Sequence, residues 1–419
     1  MTDSVDRAQS TRGGIGFLEF VLLTASTMAV GALGIDAMLP NLPAIGESLG
    51  VADENRRQLI ITVYLLAIGV SQVLYGPLAD RYGRRPVILS GLSIYVVFSL
   101  VAAFSNSFEM LLAARVLQGV GAASTRAIAV SVVRDRYAGR EMARVMSLTS
   151  LVFMAAPIMA PSLGQAVLTV ASWPWTFGLL ATLGVAVSVW ITVRLPETLH
   201  PEDRLPFRPT QILRSFRTAA QNRTAICYIL GQTFLFGGML GFINSSQQIF
   251  TDTFHASGQF PVVFAICGSF VAAASLLNAS LVRRVGMRRL SHAALMAYIA
   301  IACLHLLWSA TGHESLVSYT ALQAATMFSF GLASGNFGAM AMEPMGHIAG
   351  VASAFQGFVS MVGASLIGFV IGQAFNGSTV PLEAGYLLCG LCSLGAVLFA
   401  EHGRLFHAHQ PTLVRSPAE

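Results

Sequence analysis

Three ionisable residues, Asp36, Arg115 and Arg126, stand inside long apolar stretches of the chain. A charged side chain in apolar surroundings is costly, so such a residue needs a partner or a task. A carboxylate can take up and release a proton, and a guanidinium can pair with it or hold an acidic ligand. Proton exchange and ion pairing are therefore the chemistry that these positions predict.

Asp36 and Arg115 are expected to lie at similar depths in a membrane. If both stretches are helical spans, both residues lie about one to two helical turns inside the outer end of their runs, 17–39 and 109–132. Two such side chains can interact, directly or through water, when their helices are neighbours. Asp36 would then carry a proton, being ionised near Arg115 and water and protonated when buried without that partner. The alternative is a fixed ion pair that only holds two helices together.

A second group of residues could line a binding pocket, since neutral amides beside aromatic rings suit amphipathic ligands. With Asp36, the candidates are Arg126, Gln232, Phe236, Asn244, Gln247, Asn336 and Glu343. For Phe236 the alternative is ordinary core or lipid contact. Arg126 could instead reach lipid phosphates, bind an acidic substrate group or meet Glu343. The alternative for Glu343 is a solvated helix end.

The elements that must position these residues follow from composition. Of the 419 residues, 54% are hydrophobic and only 11% are charged, whereas soluble domains average roughly 25% charged. A water-soluble fold could not hide so much apolar surface, so a lipid bilayer is the expected solvent. Twelve apolar runs are long enough to span it as helices: 17–39, 58–77, 87–105, 109–132, 145–168, 174–193, 225–248, 260–281, 290–310, 316–341, 351–375 and 384–401.

The placement of arginine predicts how these spans are oriented. All 25 basic residues are arginine, and 21 of them fall on one side of the predicted membrane, against Arg56 and Arg57 on the other. Cytoplasmic loops of membrane proteins are enriched in basic residues. We therefore expect a multi-pass protein of the cell inner membrane with both termini in the cytoplasm. The 21 arginines on the predicted cytoplasmic side include four at the chain ends and in the central connection: Arg7, Arg12, Arg208 and Arg415.

An internal repeat divides the chain into two related parts. Residues 78–85 (LADRYGRR) follow the second run, and residues 281–288 (LVRRVGMR) follow the eighth, 203 positions later. The first copy has Asp80 where the second has Arg283. Repeats of this kind are typical of transporters with a site between two bundles. We predict bundles at residues 1–193 and 224–419, joined by a Pro- and Arg-rich cytoplasmic linker at 194–223.

Three motifs carry a resemblance to a known family. Residues 76–85 (GPLADRYGRR) resemble the signature loop between helices 2 and 3 of the major facilitator superfamily, and residues 115–123 (RVLQGVGAA) look like its helix 4 motif. Residues 35–43 (IDAMLPNLP) are similar to a stretch of drug:proton antiporters of the bicyclomycin/chloramphenicol (Bcr/CflA) type. The fifth run keeps Pro157, Pro161 and Gly164 but lacks two glycines that antiporters of the superfamily usually carry. The resemblance covers essentially the whole chain.

The resemblance implies an all-α membrane fold with twelve transmembrane helices in two pseudo-symmetric six-helix bundles around a central cavity. It implies proton-coupled efflux of small hydrophobic or weakly basic drug-like molecules by alternating access. In this superfamily helices 1 and 4 both line the cavity, which makes Asp36 and Arg115 the expected proton-coupling residues.

The resemblance also assigns a mechanical role to the loop at 76–85. Asp80 is expected to face the start of the eleventh helix near residues 350–353, and Arg84 to pair with Asp135. These contacts would hold the cytoplasmic side closed. The alternative is that the arginines only set the topology. The residues of the expected conformational latch are Gly76, Asp80, Arg81, Gly83, Arg84 and Asp135.

Other chemistry finds little support in the sequence. No nucleotide-binding loop, metal-ligand cluster or hydrolase motif is recognisable, so we expect no cofactor, no metal and no enzymatic activity. Cys389 and Cys392 could suggest redox or metal chemistry, but buried apolar thiols are the preferred interpretation. The expected partners are a small-molecule drug, protons and the lipid bilayer, without nucleic acid, and we expect a monomer. The alternatives are a same-fold transporter of a metabolite such as a sugar or polyamine and, more distantly, a membrane enzyme or channel.

Overall fold

Apolar runs of this length form helices, because a helix satisfies its backbone hydrogen bonds within one segment when the surroundings are apolar. The computed structural model describes residues 15–206 and 209–406, and within those ranges it contains helices and turns but no strand. Twelve of its helices are long and apolar enough to cross a membrane. We number these α1 to α12 and refer to shorter helices by their residues.

The first six spanning helices are α1 (Phe17–Asp36), α2 (Leu59–Tyr82), α3 (Arg84–Ala103), α4 (Phe108–Arg136), α5 (Gly139–Val170) and α6 (Pro174–Arg194). The second six are α7 (Arg223–Gln248), α8 (Phe260–Val285), α9 (Met287–Ala310), α10 (Leu316–Met342), α11 (Ala349–Gln373) and α12 (Val380–Ala400). We call the end of the molecule at which α6 is joined to α7 the linker end, and the opposite end the distal end.

Several helices extend beyond the apolar run that predicted them. The run at 109–132 lies within α4, which continues to Arg136. At its start, the side chain of Ser107 accepts a hydrogen bond from the backbone N–H of Met110 at 3.2 Å. Polar residues satisfy the free backbone groups at helix ends, so a helix can continue past the apolar residues that reveal it.

The helices form two halves, α1–α6 and α7–α12, which meet along two helix pairs. α2 packs against α11, and α5 packs against α8. Glycines permit the close approach: a Cβ atom added to Gly69 would lie 2.8 Å from Val362, and one added to Gly268 would lie 3.0 Å from Ile158. The fold is therefore the predicted arrangement of two six-helix bundles.

The repeated motif has the same backbone shape in both halves. Gly83 follows α2 with φ 99° and ψ 157°, and Gly286 follows α8 with φ 87° and ψ 150°. Each donates its N–H to the carbonyl four residues earlier. Positive φ is easily adopted only by glycine, so both turns require this residue.

The predicted linker, residues 194–223, is partly helical rather than a loop. It contains a short turn of helix at Pro201–Asp203 and an α-helix at Pro209–Gln221. A proline in the first helical turn is tolerated because the N–H that it lacks would have no partner there. Phe216 packs against Phe355 of α11, with ring centroids 5.1 Å apart. Outside the described residues lie the two chain ends, 1–14 and 407–419, and four of the arginines counted for orientation, Arg7, Arg12, Arg208 and Arg415.

Replacing Gly83 with alanine should destabilise the protein more than replacing Gly286. Both positions have positive φ, which costs an L-residue about 1–3 kcal/mol. Only Gly83 carries a second cost, because its added Cβ would lie 2.6 Å from Oε2 of Glu197, whereas that of Gly286 meets nothing within 4 Å. Thermal unfolding of the two purified variants measures the difference, and equal losses would contradict it.

Candidate functional site

α1 ends at Asp36 because the residues that follow cannot continue its hydrogen bonding. Pro40, four residues later, has no N–H to donate to the carbonyl of Asp36. The chain passes through a tight turn at Leu39–Asn41 and resumes as a short helix at Leu42–Ser48. The carboxyl group of Asp36 therefore lies beside irregular backbone within the span.

The side chain of Asp36 is buried and has no hydrogen-bond partner among the residues that the structure describes. The residue is 4% exposed, and its Oδ1 forms no hydrogen bond with any described group. α5 packs closely on this region, since a Cβ added to Gly164 would lie 2.2 Å from the carbonyl oxygen of Ala37. The turn at 39–41 also contacts α7 of the other half. An ionised carboxylate buried in this way costs several kcal/mol, so the site is suited to a bound proton or a cationic ligand.

Arg115 does not contact Asp36 directly. Its guanidinium is fully buried and donates to the carbonyl oxygens of Ile60 and Gly34, each at 2.9 Å, and to Oε1 of Gln118 at 2.6 Å. The two side chains are therefore not paired directly, because the carbonyls of α2 and α1 accept hydrogen bonds from Arg115, and an interaction through water stays a prediction. What Arg115 does here is join α1, α2 and α4 through one buried cation.

Arg126 lies on the packed face of α4 but is exposed. On the same face, Gly119 contacts α2 and Ala122 contacts α1, both of which belong to the first half. Among the residues that the structure describes, no acidic partner of Arg126 is found. Glu343 pairs instead with Arg288 at 3.2 Å, so the suggested contact between Arg126 and Glu343 is absent.

Three predicted pocket amides belong to α7 and have different surroundings. Oε1 of Gln232 accepts a hydrogen bond from Gln356 of α11 at 2.8 Å. Nε2 of Gln247 donates to Oγ1 of Thr251 at 2.9 Å. Asn244 is 1% exposed, and neither of its amide atoms bonds to a described group. A buried amide without a partner is costly, which makes Asn244 the best placed of the three to bind a ligand or a water.

Two further pocket candidates of the second half, Asn336 and Phe236, contact residues of neighbouring helices. Asn336 of α10 donates to Oδ1 of Asn278 of α8 at 2.7 Å. Phe236 of α7 stacks on Phe330 of α10, with centroids 6.5 Å apart and an interplanar angle of 14°. These contacts join α7, α8 and α10 to one another.

Neutral amides join the two halves at the distal end. Nε2 of Gln58 donates to Oε1 of Gln248 at 2.5 Å and to the carbonyl of Gly372 at 3.0 Å. Nε2 of Gln248 donates to Oδ1 of Asn55 at 2.7 Å, and Nε2 of Gln373 donates to the carbonyl of Asn55 at 2.6 Å. We call Asn55, Gln58, Gln248 and Gln373 the distal amide cluster. Its contacts cross between the halves, so the distal end is closed.

The distal amide cluster is not among the contacts predicted from the sequence. The available signal was a concentration of asparagine and glutamine near the predicted outer ends of the second, seventh and eleventh spans. Which amides meet depends on how the halves dock, and span positions do not specify that.

Arg84 organises the charges at the linker end of the first half. It contacts Asp80 at 2.6 Å and Asp135 at 2.8 Å, and its backbone N–H donates to Oε1 of Glu197 at 2.8 Å. Asp80 thus bonds within its own half, not to the start of α11 near residues 350–353 as expected. The reason is that a guanidinium one helical turn away offers a strong charge-assisted bond.

Two other residues of the expected latch also have local surroundings. The guanidinium of Arg81 lies 5.1 Å from the ring centroid of its neighbour Tyr82. A Cβ added to Gly76 would meet nothing within 4 Å. Neither observation joins the loop to the second half.

Arg288 has the corresponding role at the linker end of the second half. It contacts Glu401 at 2.9 Å and Glu343 at 3.2 Å, and the hydroxyl of Tyr228 donates to Oε1 of Glu401 at 2.6 Å. Burial raises the pKa of the Glu401 carboxyl, but the bonds from Tyr228 and Arg288 outweigh it and hold that pKa below its usual value. Each half is therefore tied together at its linker end by a network of its own.

Comparison with protein families places these features in a known group. The family model described as Major Facilitator Superfamily matches residues 24–368. An uncharacterised MFS-type transporter of Bacillus subtilis, YdgK, is 28% identical over 388 residues, which cover 91% of this chain and 94% of that protein. A bicyclomycin resistance protein homolog of Haemophilus influenzae is 26% identical over 384 residues, covering 91% and 95%. Multidrug resistance protein MdtL of Escherichia fergusonii is 26% identical over 392 residues, covering 93% and 98%.

A solved structure has the same fold. The crystal structure of the human organic anion transporter MFSD10 (TETRAN) matches with a TM-score of 0.68, covering 92% of this chain and 100% of that one. The two sequences are 18% identical over this match, so the likeness concerns the fold alone.

Replacing Gln58 with alanine should loosen the distal closure. The change removes three hydrogen bonds between the halves, each worth about 0.5–1.5 kcal/mol. Spin labels at cysteines introduced at Ala52 and Ala374, both exposed at the distal end, should show an added longer distance in a background without other cysteines. Asn278→Ala removes an amide pair inside one half and should leave the distances unchanged. Equal distance distributions in all three proteins would contradict a closing role for Gln58.

Proposed function

This chain belongs to the major facilitator superfamily and is a multi-pass transporter of the inner membrane, and we propose that it exports small drug-like molecules in exchange for protons. The cargo would be hydrophobic or weakly basic. The names of two relatives, a bicyclomycin resistance protein homolog and multidrug resistance protein MdtL, support this class of cargo.

The observation that carries the proposal is the buried carboxyl group of Asp36, whose Oδ1 has no hydrogen-bond partner in the described part of the chain while the distal end is closed. In this state the neutral acid is the form that its surroundings tolerate. Opening the distal end would bring water to the break after Asp36 and let the group take a proton from that side. Opening the linker end would let it release the proton and accept a weakly basic drug in its place.

The two ends of the molecule support a rocking motion of the halves. The distal amide cluster crosses between the halves through neutral bonds, which water can replace at little net cost. The linker-end networks of Arg84 and Arg288 lie within single halves. We infer that each half moves as one body and that the amide bonds are made and broken in each cycle. Arginine placement supports a cytoplasmic position for the linker end.

The cargo site would lie between Asp36 and Asn244. The turn that follows Asp36 contacts α7, and Asn244 of α7 carries an unpartnered amide. A carboxylate and a neutral amide among apolar walls suit a ligand that is mainly hydrophobic and carries one basic or polar group.

Replacing Asp36 with asparagine should reduce proton-driven efflux by about tenfold or more, a barrier increase of about 1.4 kcal/mol. The amide keeps the shape of the side chain but cannot carry a proton. Efflux of a fluorescent cationic dye from proteoliposomes, with and without an imposed pH difference, measures the effect. Glu47→Gln neutralises an exposed carboxylate of the same distal region and should leave efflux unchanged. Retained pH-driven efflux in Asp36→Asn would remove Asp36 as the proton carrier.

One observation favours a second candidate, the export of a metabolite with an acidic group. Arg126 is exposed on the packed face of α4, and a guanidinium there can bind a carboxylate or phosphate in a bidentate manner. If the cargo is an acidic metabolite, Arg126→Gln should abolish transport of acidic compounds. If the cargo is a weakly basic drug, the same change should leave transport of the cationic dye intact. Uptake assays with a matched acidic and basic dye pair decide between the two.

A further inference from the structure

A cluster of three ionisable side chains lies buried at the distal end of the second half. His305 belongs to α9, Glu314 to the turn between α9 and α10, and Glu383 to the first turn of α12. The side chains of His305 and Glu383 are 0% exposed, and that of Glu314 is 6% exposed. We call these three residues the distal acid cluster. None of them takes part in the mechanism proposed above.

The imidazole of His305 lies between the two carboxyl groups. Nε2 of His305 is 2.6 Å from Oε1 of Glu314, and Nδ1 is 2.8 Å from Oε2 of Glu383. The first contact is aligned as a hydrogen bond, whereas the second is close but not aligned. The hydroxyl of Thr379 donates to the other oxygen of Glu314. Neither oxygen of Glu383 has an aligned hydrogen bond.

Counting charges shows that this geometry requires an extra proton. With a neutral imidazole and two ionised carboxylates, the cluster would bury two negative charges side by side, and like charges at this range strongly oppose each other. One added proton, on His305 or on a carboxyl group, reduces the charge to minus one and supplies a donor for the second contact. No arginine pairs with Glu314 or Glu383 in the described part of the chain, so the proton is the available cation.

Within the described part of the chain, the side chains that surround the cluster carry hydroxyl, thiol and amide groups. Tyr319 of α10 packs on the ring of His305 with centroids 5.6 Å apart, and its hydroxyl has no bonded partner among the described residues. The polar and titratable groups facing the cluster from the helices packed around it are Ser309 and Tyr298 of α9, Tyr319 and Gln323 of α10, Tyr386 and Cys389 of α12, Thr379 before α12, and Cys267 of α8.

We propose that His305, Glu314 and Glu383 form a proton-binding site of the second half, separate from Asp36 and loaded from the distal side. Residues 311–313, directly before Glu314, are exposed, which provides a short route from water. Through Tyr319, the protonation of the cluster acts on α10, the helix that also carries Asn336. Proton binding here needs neither cargo nor Asp36, so the site does not rest on the proposed antiport.

The proposal predicts how thermal stability depends on pH. When the cluster loses its proton, two buried carboxylates remain without a cation, so the protein should lose stability as pH rises. Glu383→Gln removes one of the charges and should reduce the fall in melting temperature between mildly acidic and mildly alkaline pH to about half or less. The full chain, purified in detergent micelles without any cargo, is the sample.

Two exposed residues provide matched controls. His313→Asn removes a histidine eight positions from His305, and Glu47→Gln removes a distal-end carboxylate; both positions are exposed. Each should retain the pH dependence of the parent protein. A Glu383→Gln protein with the parent's pH dependence would overturn the proposal, as would equal flattening in His313→Asn.

A further variant keeps the test decisive if Glu383→Gln does not fold. Replacing His305, Glu314 and Glu383 together by glutamine leaves no charge in the cluster. This protein should therefore fold, and its melting temperature should depend less on pH than that of the parent. A triple variant that folds with the parent's pH dependence would overturn the proposal. Because these measurements use no cargo, they also separate this site from the transport proposal, which stands or falls on Asp36→Asn.

Discussion

A polar or charged group inside an apolar span is stable only if the protein itself provides its partner, since lipid offers none. Arg115 obeys this constraint fully, because carbonyls of α1 and α2 and the amide of Gln118 take up its donors. Asp36 does not, and its burial without a hydrogen-bond partner among the described residues is what supports the proposal that it changes its protonation state. The contrast between one satisfied cation and one unsatisfied acid, which lies two residues beyond the Gly34 carbonyl that Arg115 binds, is what the proposed transport cycle depends on.

The same constraint explains why the two ends of the molecule are built differently. Ion pairs at the linker end, centred on Arg84 and Arg288, stay inside one half each, and breaking them would leave charges unpaired. The bonds between the halves at the distal end use neutral amides instead. Neutral groups can exchange protein partners for water with a small change in free energy. The distal amide cluster is therefore suited to the contact that the proposed cycle breaks, and the ion pairs of Arg84 and Arg288 are suited to contacts that it keeps.

The internal repeat preserves backbone geometry more faithfully than chemistry. Gly83 and Gly286 adopt nearly the same positive φ, and each lies beside an arginine network at the linker end. The side chains have diverged, since Asp80 of the first copy corresponds to Arg283 of the second. Buried acids have also been placed differently: Asp36 lies at a helix break, whereas Glu383 faces a histidine. The two proposed proton sites therefore have different surroundings, although the two halves share the same glycine turn.

Sequence alone determined the twelve spans and the two halves, because hydropathy is a property of short segments and the internal repeat is visible in the order of the residues. It also identified Asp36 as a costly residue in a span. It did not determine what surrounds Asp36: the expected partner, Arg115, bonds to carbonyls whose positions depend on how three helices cross. The distal amide cluster and the pairing of His305 with Glu314 and Glu383 join residues from different helices. Those contacts were decided by tertiary packing, because a partner's identity depends on which faces meet in space.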